Sequence, residues 1–217
     1  MLFGKTISTA AAFFVTISVA NSAMSAETAP QAPYLVLNQT NKISPILGQT
    51  TSEKNLVGYF GANNVKHQKV SLGEGETADG TVIFPNDAKR RASFVWKNTK
   101  KRDLPERIFV WDTPSSWQLP NEITTGTTLI ALEKMNGKPF KMSGFDWDYG
   151  GNVLSWNGGK LETALKSKSG KVSATLQLVP TSKHYPDELI GDREISSSNA
   201  NMRKLNPTVG TVNILAP

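Results

Sequence analysis

The five residues from Phe145 to Tyr149 carry the densest set of chemically useful side chains in the sequence. If this segment is a β-strand, Phe145, Trp147 and Tyr149 share one face, because side chains alternate along a strand. Asp146 and Asp148 then share the other face, with their carboxylates about 7 Å apart. Such a pair could act as acid and base in glycoside hydrolysis, with Glu162 as a further candidate, or could hold a hard cation.

A structural interpretation of the same segment is also available. In that case the three aromatic side chains belong to the core. The two aspartates are then solvated beside basic neighbours or accept hydrogen bonds from turn amides. Because this arrangement is the commoner one, we assign no catalytic residue and keep Asp146, Trp147, Asp148 and Tyr149 as candidate binding residues.

A second group of candidates is the basic stretch between Lys89 and Arg107, which holds eight lysines and arginines against two acids. A hairpin with this charge could bind an anionic envelope component, such as a lipopolysaccharide phosphate, or an acidic protein surface. The simpler interpretation is a solvated hairpin whose charges keep the protein soluble. Nucleic acid is not an expected partner of an exported protein. The candidate binding residues here are Lys89, Arg90, Arg91, Lys100, Lys101 and Arg102.

The five tryptophans could also contribute to a binding surface, since flat aromatic side chains stack on sugar rings and anchor protein interfaces. Most of them are expected in the core. Trp117 is the one that we predict to be exposed, because it lies in the loop-like segment TPSSWQLP.

Other chemistries find little support in the sequence. The chain has no cysteine, which excludes thiol catalysis and lipidation on cysteine. His67 and His184 are far apart and lack the spacing of a zinc site, and no nucleophile elbow is present. We therefore predict no cofactor and no metal.

The elements that position these residues follow a predicted signal peptide at residues 1–26. Lys5 supplies a positive charge, Ala10–Ala20 form a short apolar stretch, and small residues precede a cleavage site after Ala26. The apolar stretch is shorter than the roughly 20 residues that a membrane span requires. We expect a periplasmic or secreted protein without a membrane span.

After a linker at residues 27–33, the pattern predicts a strand at Tyr34–Asn38 and a helix at Thr51–Phe60, with Thr50 and Glu53 at capping-box spacing. An antiparallel meander follows, which completes a first unit at residues 34–120. A second unit at residues 121–180 begins with a helix at Thr128–Met135. Its four predicted strands are Phe140–Tyr149, Asn152–Trp156, Lys160–Lys166 and Lys171–Val179.

The two units predict an α+β fold, mostly antiparallel sheet with two short helices, built from tandem helix-plus-meander units. Residues 181–217 then form a long polar loop and a last strand at Val209–Leu215 that packs on the sheet. Along Lys171–Val179, apolar residues alternate with polar ones, which indicates one buried and one wet face of the sheet.

Three stretches of sequence carry a resemblance: GEGETADGTVIFPND, LEKMNGKPFKMSGFDWDYGGNVLSWNGGKLE and LNPTVGTVNIL. They resemble a group of uncharacterised exported bacterial proteins. The helix-plus-meander layout of residues 43–180 is similar to that of the β-lactamase inhibitory protein and of envelope lipoproteins related to BamE. This resemblance implies a protein-binding or inhibitory module that makes its contacts through an exposed sheet face.

The sequence thus favours an exported, non-enzymatic binding protein, a partner or inhibitor of an envelope protein. Two alternatives stay open. One is an envelope glycan hydrolase that uses Asp146 and Asp148, and the other is a polyanion-binding protein that uses the basic hairpin.

Overall fold

The structure is a computed structural model that describes residues 51–73, 75–167, 170 and 172–215. The predicted signal peptide, the linker and the strand at Tyr34–Asn38 lie outside the described residues. Within them, antiparallel sheets of six and three strands combine with a few short helices. This arrangement confirms the predicted α+β class.

The nine strands of the described chain are β1 (Val65–Gly73), β2 (Glu76–Ile83), β3 (Ala92–Trp96), β4 (Pro105–Val110), β5 (Lys141–Ser143), β6 (Val153–Ser155), β7 (Ser173–Val179), β8 (Glu194–Ser196) and β9 (Thr208–Leu215). The α-helices are α1 (Glu53–Phe60), α2 (Leu129–Asn136), α3 (Leu161–Ala164) and α4 (Ala200–Leu205). Single turns of 3-10 helix lie at Ala62–Asn64, Pro120–Glu122 and Asp187–Leu189.

Helix α1 begins two residues later than predicted because a different residue caps it. The Ser52 hydroxyl accepts a hydrogen bond from the Asn55 amide, and the Asn55 side chain accepts one from the Ser52 amide, both at 3.1 Å. Glu53 therefore does not close the predicted capping box. Its carboxylate instead contacts the Arg102 guanidinium at 3.2 Å and accepts a hydrogen bond from the Thr81 hydroxyl.

The six-stranded sheet has the order β1-β2-β3-β4-β9-β7. Strands β1 to β4 follow one another as an antiparallel meander, which is the layout predicted for the first unit. β9 lies between β4 and β7 and pairs with both, so the end of the chain joins the first half to the second. Alternation in the sequence predicted a last strand at this segment.

The second half differs from the predicted four-stranded meander. β5 and β6 belong to a three-stranded sheet with β8, whereas β7 belongs to the six-stranded sheet. The strand predicted at Lys160–Lys166 is wrong, because this segment contains α3. Leu161 and Leu165 are both buried, and the leucine, glutamate and alanine residues of the segment favour a helix over a strand.

The main core lies on one face of the six-stranded sheet, where its side chains pack with those of the three-stranded sheet and the helices. Phe94, Ile108 and Val110 contribute from the six-stranded sheet, Met142 from β5 and Leu132 from α2. We call this side the inner face. The opposite, outer face carries a smaller apolar cluster of Val70, Val82, Val95 and Phe109.

Candidate functional site

The segment from Asp146 to Tyr149 forms bends and a turn, and Phe145 makes only an isolated bridge to Ile190, so the prediction of residues 145–149 as part of a strand is wrong. β5 ends at Ser143, and Asp146 has a φ of 59°, which a strand does not allow. The Trp147 indole donates a hydrogen bond to the Gly144 carbonyl at 3.0 Å, and the Gly150 amide donates one to the Trp147 carbonyl at 2.8 Å. These local bonds satisfy backbone groups that a strand would have paired.

Because of this turn, Asp146 and Asp148 line different depressions of the surface. Asp146 lies with Pro180 and Tyr185 in an open depression of about 420 Å³. Burial, and then the Asp146 carboxylate, raises the pKa of Tyr185 to about 12. Asp148 belongs to a second depression on the outer face of the sheet. The carboxylate pair expected on one strand face is therefore not formed.

Trp117 is buried, with 1% of its surface exposed, so its predicted exposure is wrong. Its indole nitrogen donates a hydrogen bond to the Arg90 carbonyl at 2.7 Å. Its ring packs edge to face against Phe60, with centroids 6.2 Å apart. The residues around Trp117 predicted a loop correctly, but the large indole side chain turns inward and packs in the core.

The basic residues between Lys89 and Arg107 occupy opposite ends of β3. Lys89, Arg90 and Arg91 precede the strand, whereas Lys100, Lys101 and Arg102 follow it in the turn to β4. The five residues of β3 span about 17 Å. The single basic patch expected from the sequence is therefore two smaller groups.

Half of these eight cations also have acidic neighbours. The pairs are Arg90 with Asp87, Arg91 with Asp112, Arg102 with Glu53 and Arg107 with Glu106. The Arg90 guanidinium holds the pKa of Asp87 below its usual value. These pairs reduce the positive potential that a polyanion would meet.

The larger depression crosses the outer face of the six-stranded sheet and has a volume of about 590 Å³. We call it the outer groove. Its floor consists of β4, β9 and β7, and its walls are the β1–β2 hairpin and the turn that contains Tyr149. The lining residues are Leu72, Gly73, Glu76, Arg107, Phe109, Trp111, Asp148, Tyr149, Asn152, Thr175, Gln177, Thr211 and Asn213.

Alternation along the three floor strands determines which side chains reach the groove. In β9, Val212 and Ile214 belong to the core, and Asn213 between them lines the groove. The register places Phe109 of β4 and Thr175 of β7 on either side of Asn213. One continuous row of side chains therefore crosses the floor, with an aromatic ring at one end and a hydroxyl at the other.

Two aromatic pairs border this row. On the floor, the rings of Phe109 and Trp111 lie 5.2 Å apart and are tilted by 30°. On the wall, Trp147 contacts Tyr149 edge to face at 5.5 Å, and Tyr149 leaves 66% of its surface exposed. An exposed ring of this size beside a concave surface is typical of a binding site.

The amide side chains of the groove present oxygen atoms to a ligand. The Gln177 amide nitrogen donates to the Gly150 carbonyl at 2.9 Å, and that of Asn152 donates to the Tyr149 carbonyl at 3.0 Å. Asn213 Oδ1 is buried and has no hydrogen-bond partner among the described residues. A buried acceptor without a partner is unfavourable, and because solvent does not reach this atom, it is not a contact for a ligand in the groove.

Sequence reasoning selected Asp148 and Tyr149 but not the floor of the groove. The polar positions of the alternating β7 segment, Thr175 and Gln177, were a usable signal, because they indicated a wet sheet face. Nothing in the sequence showed that β9 and β4 extend this face with Asn213 and Trp111. That information comes from strand pairing between segments about 100 residues apart.

Among the described residues, no three histidine, aspartate or glutamate side chains converge as a metal site requires. None of the helices in this part of the chain has the length and hydrophobicity of a membrane span. Comparison with known proteins finds no matching family model, curated protein or solved structure. The function is therefore argued from the groove itself.

Proposed function

We propose that this chain is an exported, non-enzymatic binding protein and that the outer groove holds its ligand, a component of the bacterial envelope. The observation that carries the proposal is the groove: a concave surface of about 590 Å³ that combines aromatic rings with amide and hydroxyl groups. Ligand sites typically have volumes of roughly 300–1,000 Å³ and this kind of mixed lining. Export is inferred from the signal peptide pattern at residues 1–26.

The groove supports binding better than it supports the two alternatives. Hydrolysis by Asp146 and Asp148 requires both carboxylates at one substrate, whereas they line different depressions. Polyanion binding requires concentrated positive charge, whereas the basic residues are divided between the two ends of β3 and half of them are paired. A sheet face as the contact surface also agrees with what the resemblance to inhibitory modules implies.

The tandem layout of two helix-plus-meander units is part of the same proposal. Each unit contains an eight-residue helix that a serine or threonine hydroxyl caps and a glycine ends: Ser52 and Gly61 for α1, Thr128 and Gly137 for α2. We attribute the division of the later strands between two sheets to divergence of the second unit.

Site-specific photo-crosslinking in the producing cell tests the binding site. A photoreactive residue at Thr175, an exposed position of the groove, should give covalent adducts with an envelope component. The control is the same residue at Thr77, which is an equally exposed threonine on a strand and does not line the groove. Adducts that form equally at both positions, or only at Thr77, would contradict the proposal.

Export is tested separately. Mass determination of the protein from the periplasmic fraction or the medium should give a chain that begins at Glu27. An intact chain that begins at Met1 and stays in the cytoplasm would contradict export.

A further inference from the structure

We infer that the ligand of the outer groove is a neutral oligosaccharide chain. This inference rests on the proposed function, because it takes the groove as the binding site and asks which chemistry fits its lining. Three properties of the groove carry it: the hydrogen-bonding groups left available, the aromatic surfaces, and the balance of charge.

The hydrogen-bonding groups of the lining include both acceptors and donors. The side-chain amides of Gln177 and Asn152 each use one N–H group on a backbone carbonyl, which leaves the amide oxygen and the second N–H group for a ligand. Glu76 and Asp148 add carboxylate acceptors, and Arg107 adds guanidinium donors. A ligand that fits must both donate and accept hydrogen bonds, and each sugar hydroxyl does both.

The aromatic side chains provide the apolar contacts that a sugar ring requires. Sugar rings have faces of C–H groups, which pack on the electron-rich faces of aromatic rings. Trp111 is partly exposed beside Phe109 on the floor, and Tyr149 is exposed on the wall. An aromatic ring is thus available on the floor and on a wall, and a chain of sugar units can contact both.

The charges of the lining disfavour a polyanion. Glu76 and Asp148 outnumber Arg107, whose guanidinium also lies 3.9 Å from the Glu106 carboxylate. Phosphate or sulfate groups would therefore meet net repulsion inside the groove. An uncharged ligand avoids this cost.

The strand pairing disfavours an extended peptide. Peptides commonly bind sheets by adding a strand to a free edge, where backbone groups are unpaired. β4 and β9 are flanked by strands on both sides, and the outer edge of β7 is partly covered by the bridges of Gln177 with Asn152 and of Ser173 with Lys166. A ligand that depends on side-chain contacts and carries many hydroxyls agrees better with this surface.

Tyr149 provides the sharpest test. Its side chain lines the groove and is 66% exposed, so Tyr149→Ala should change the melting temperature little. The same variant should bind a neutral oligosaccharide about tenfold more weakly, since the loss of one aromatic contact of roughly 1.4 kcal/mol corresponds to a factor of ten. Loss of binding without loss of stability separates a ligand contact from a structural role.

The assay starts with the purified protein on a printed array of neutral, N-acetylated and anionic glycans. The strongest neutral glycan is then titrated by calorimetry against the parent protein, Tyr149→Ala, Thr175→Arg and Thr77→Arg. We expect Thr175→Arg to abolish binding by filling the groove and Thr77→Arg to bind like the parent. Heparin and tetralysine serve as polyanionic and cationic probes in the same titration.

The results distinguish failure of this inference from failure of the proposed function. Failure of every neutral glycan to bind, or binding that Tyr149→Ala leaves unchanged, overturns the saccharide inference. If Thr175 still crosslinks to an envelope component, or if heparin or tetralysine binds and Thr175→Arg prevents it, the proposed function stands without the inference. If Thr175 gives no groove-specific adduct, the proposed function fails as well.

Discussion

Substitution of Asn136 by alanine is expected to cost about 3–5 kcal/mol of unfolding free energy. Asn136 is 1% exposed at the end of α2, and its amide nitrogen donates to the carbonyls of Lys138 at 2.9 Å and Trp156 at 3.0 Å. Its oxygen accepts a hydrogen bond from the Leu161 amide at 3.1 Å. Each lost bond costs roughly 1 kcal/mol net, and a buried group left without a partner costs about 1–3 kcal/mol.

This loss is large in relation to the roughly 5–15 kcal/mol that stabilises a typical domain. Urea unfolding followed by tryptophan fluorescence should show a lower midpoint with little change in slope. The control is Asn98→Ala, which removes hydrogen bonds to the exposed amides of Lys100 and Lys101. Water replaces these hydrogen bonds, so Asn98→Ala should lower the free energy of unfolding by about 1 kcal/mol or less.

The comparison of the two asparagines decides whether the reasoning is right. If Asn136→Ala lowers the free energy of unfolding by no more than Asn98→Ala does, Asn136 does not join the end of α2, the end of β6 and the start of α3 in the way described. A larger effect at Asn136 would also explain why the segment after β6 forms a helix instead of the predicted strand.

Two further predictions concern the turn beside the groove. Gly151→Ala should prevent stable folding, because its Cβ would lie 1.9 Å from the Leu178 carbonyl oxygen at a φ of 76°. The control is Gly158→Ala, at a φ of 66° with open space around it, which should cost only about 1 kcal/mol in thermal unfolding. Equal losses of stability in the two variants would contradict the close approach of Gly151 to the Leu178 carbonyl. Asp146→Asn should lower the pKa of Tyr185 from about 12 toward its ordinary value of 10.0, as measured by tyrosinate absorbance. At pH values between these two pKa values, the folded protein keeps the Tyr185 proton that the unfolded chain loses, so the free energy of unfolding falls as the pH rises. This fall should be smaller in Asp146→Asn. An unchanged titration of Tyr185 in the variant would contradict the effect of the Asp146 carboxylate.

Local sequence signals predicted several elements in both halves of the chain. Alternation of apolar and polar residues marked β7 and β9, and glycine marked the ends of α1 and α2 at Gly61 and Gly137. These signals work because side-chain periodicity and backbone freedom are properties of a short segment. They also sufficed to predict an α+β protein of mostly antiparallel strands.

The errors had two kinds of cause. The segment at Leu161–Ala164 is rich in helix-forming residues, a local signal that the strand prediction overlooked, and the hydrogen bond from the Leu161 amide to Asn136 supports the helix as well. Trp117 lies in a polar loop, but its indole completes the core and reaches the Arg90 carbonyl. A short window of sequence around either segment contains neither Asn136 nor Arg90, the two hydrogen-bonding partners.

The sequence by itself determined the α+β class, the wet face of β7 and the concentration of aromatic and acidic residues near Tyr149. Only the tertiary structure decided that Asp146 and Asp148 separate, that the basic stretch divides along β3, and that an outer groove exists. The physical reason is that a groove is a product of strand pairing. Asn213 lines the groove because β9 inserts between β4 and β7, and no local pattern encodes that neighbour relation.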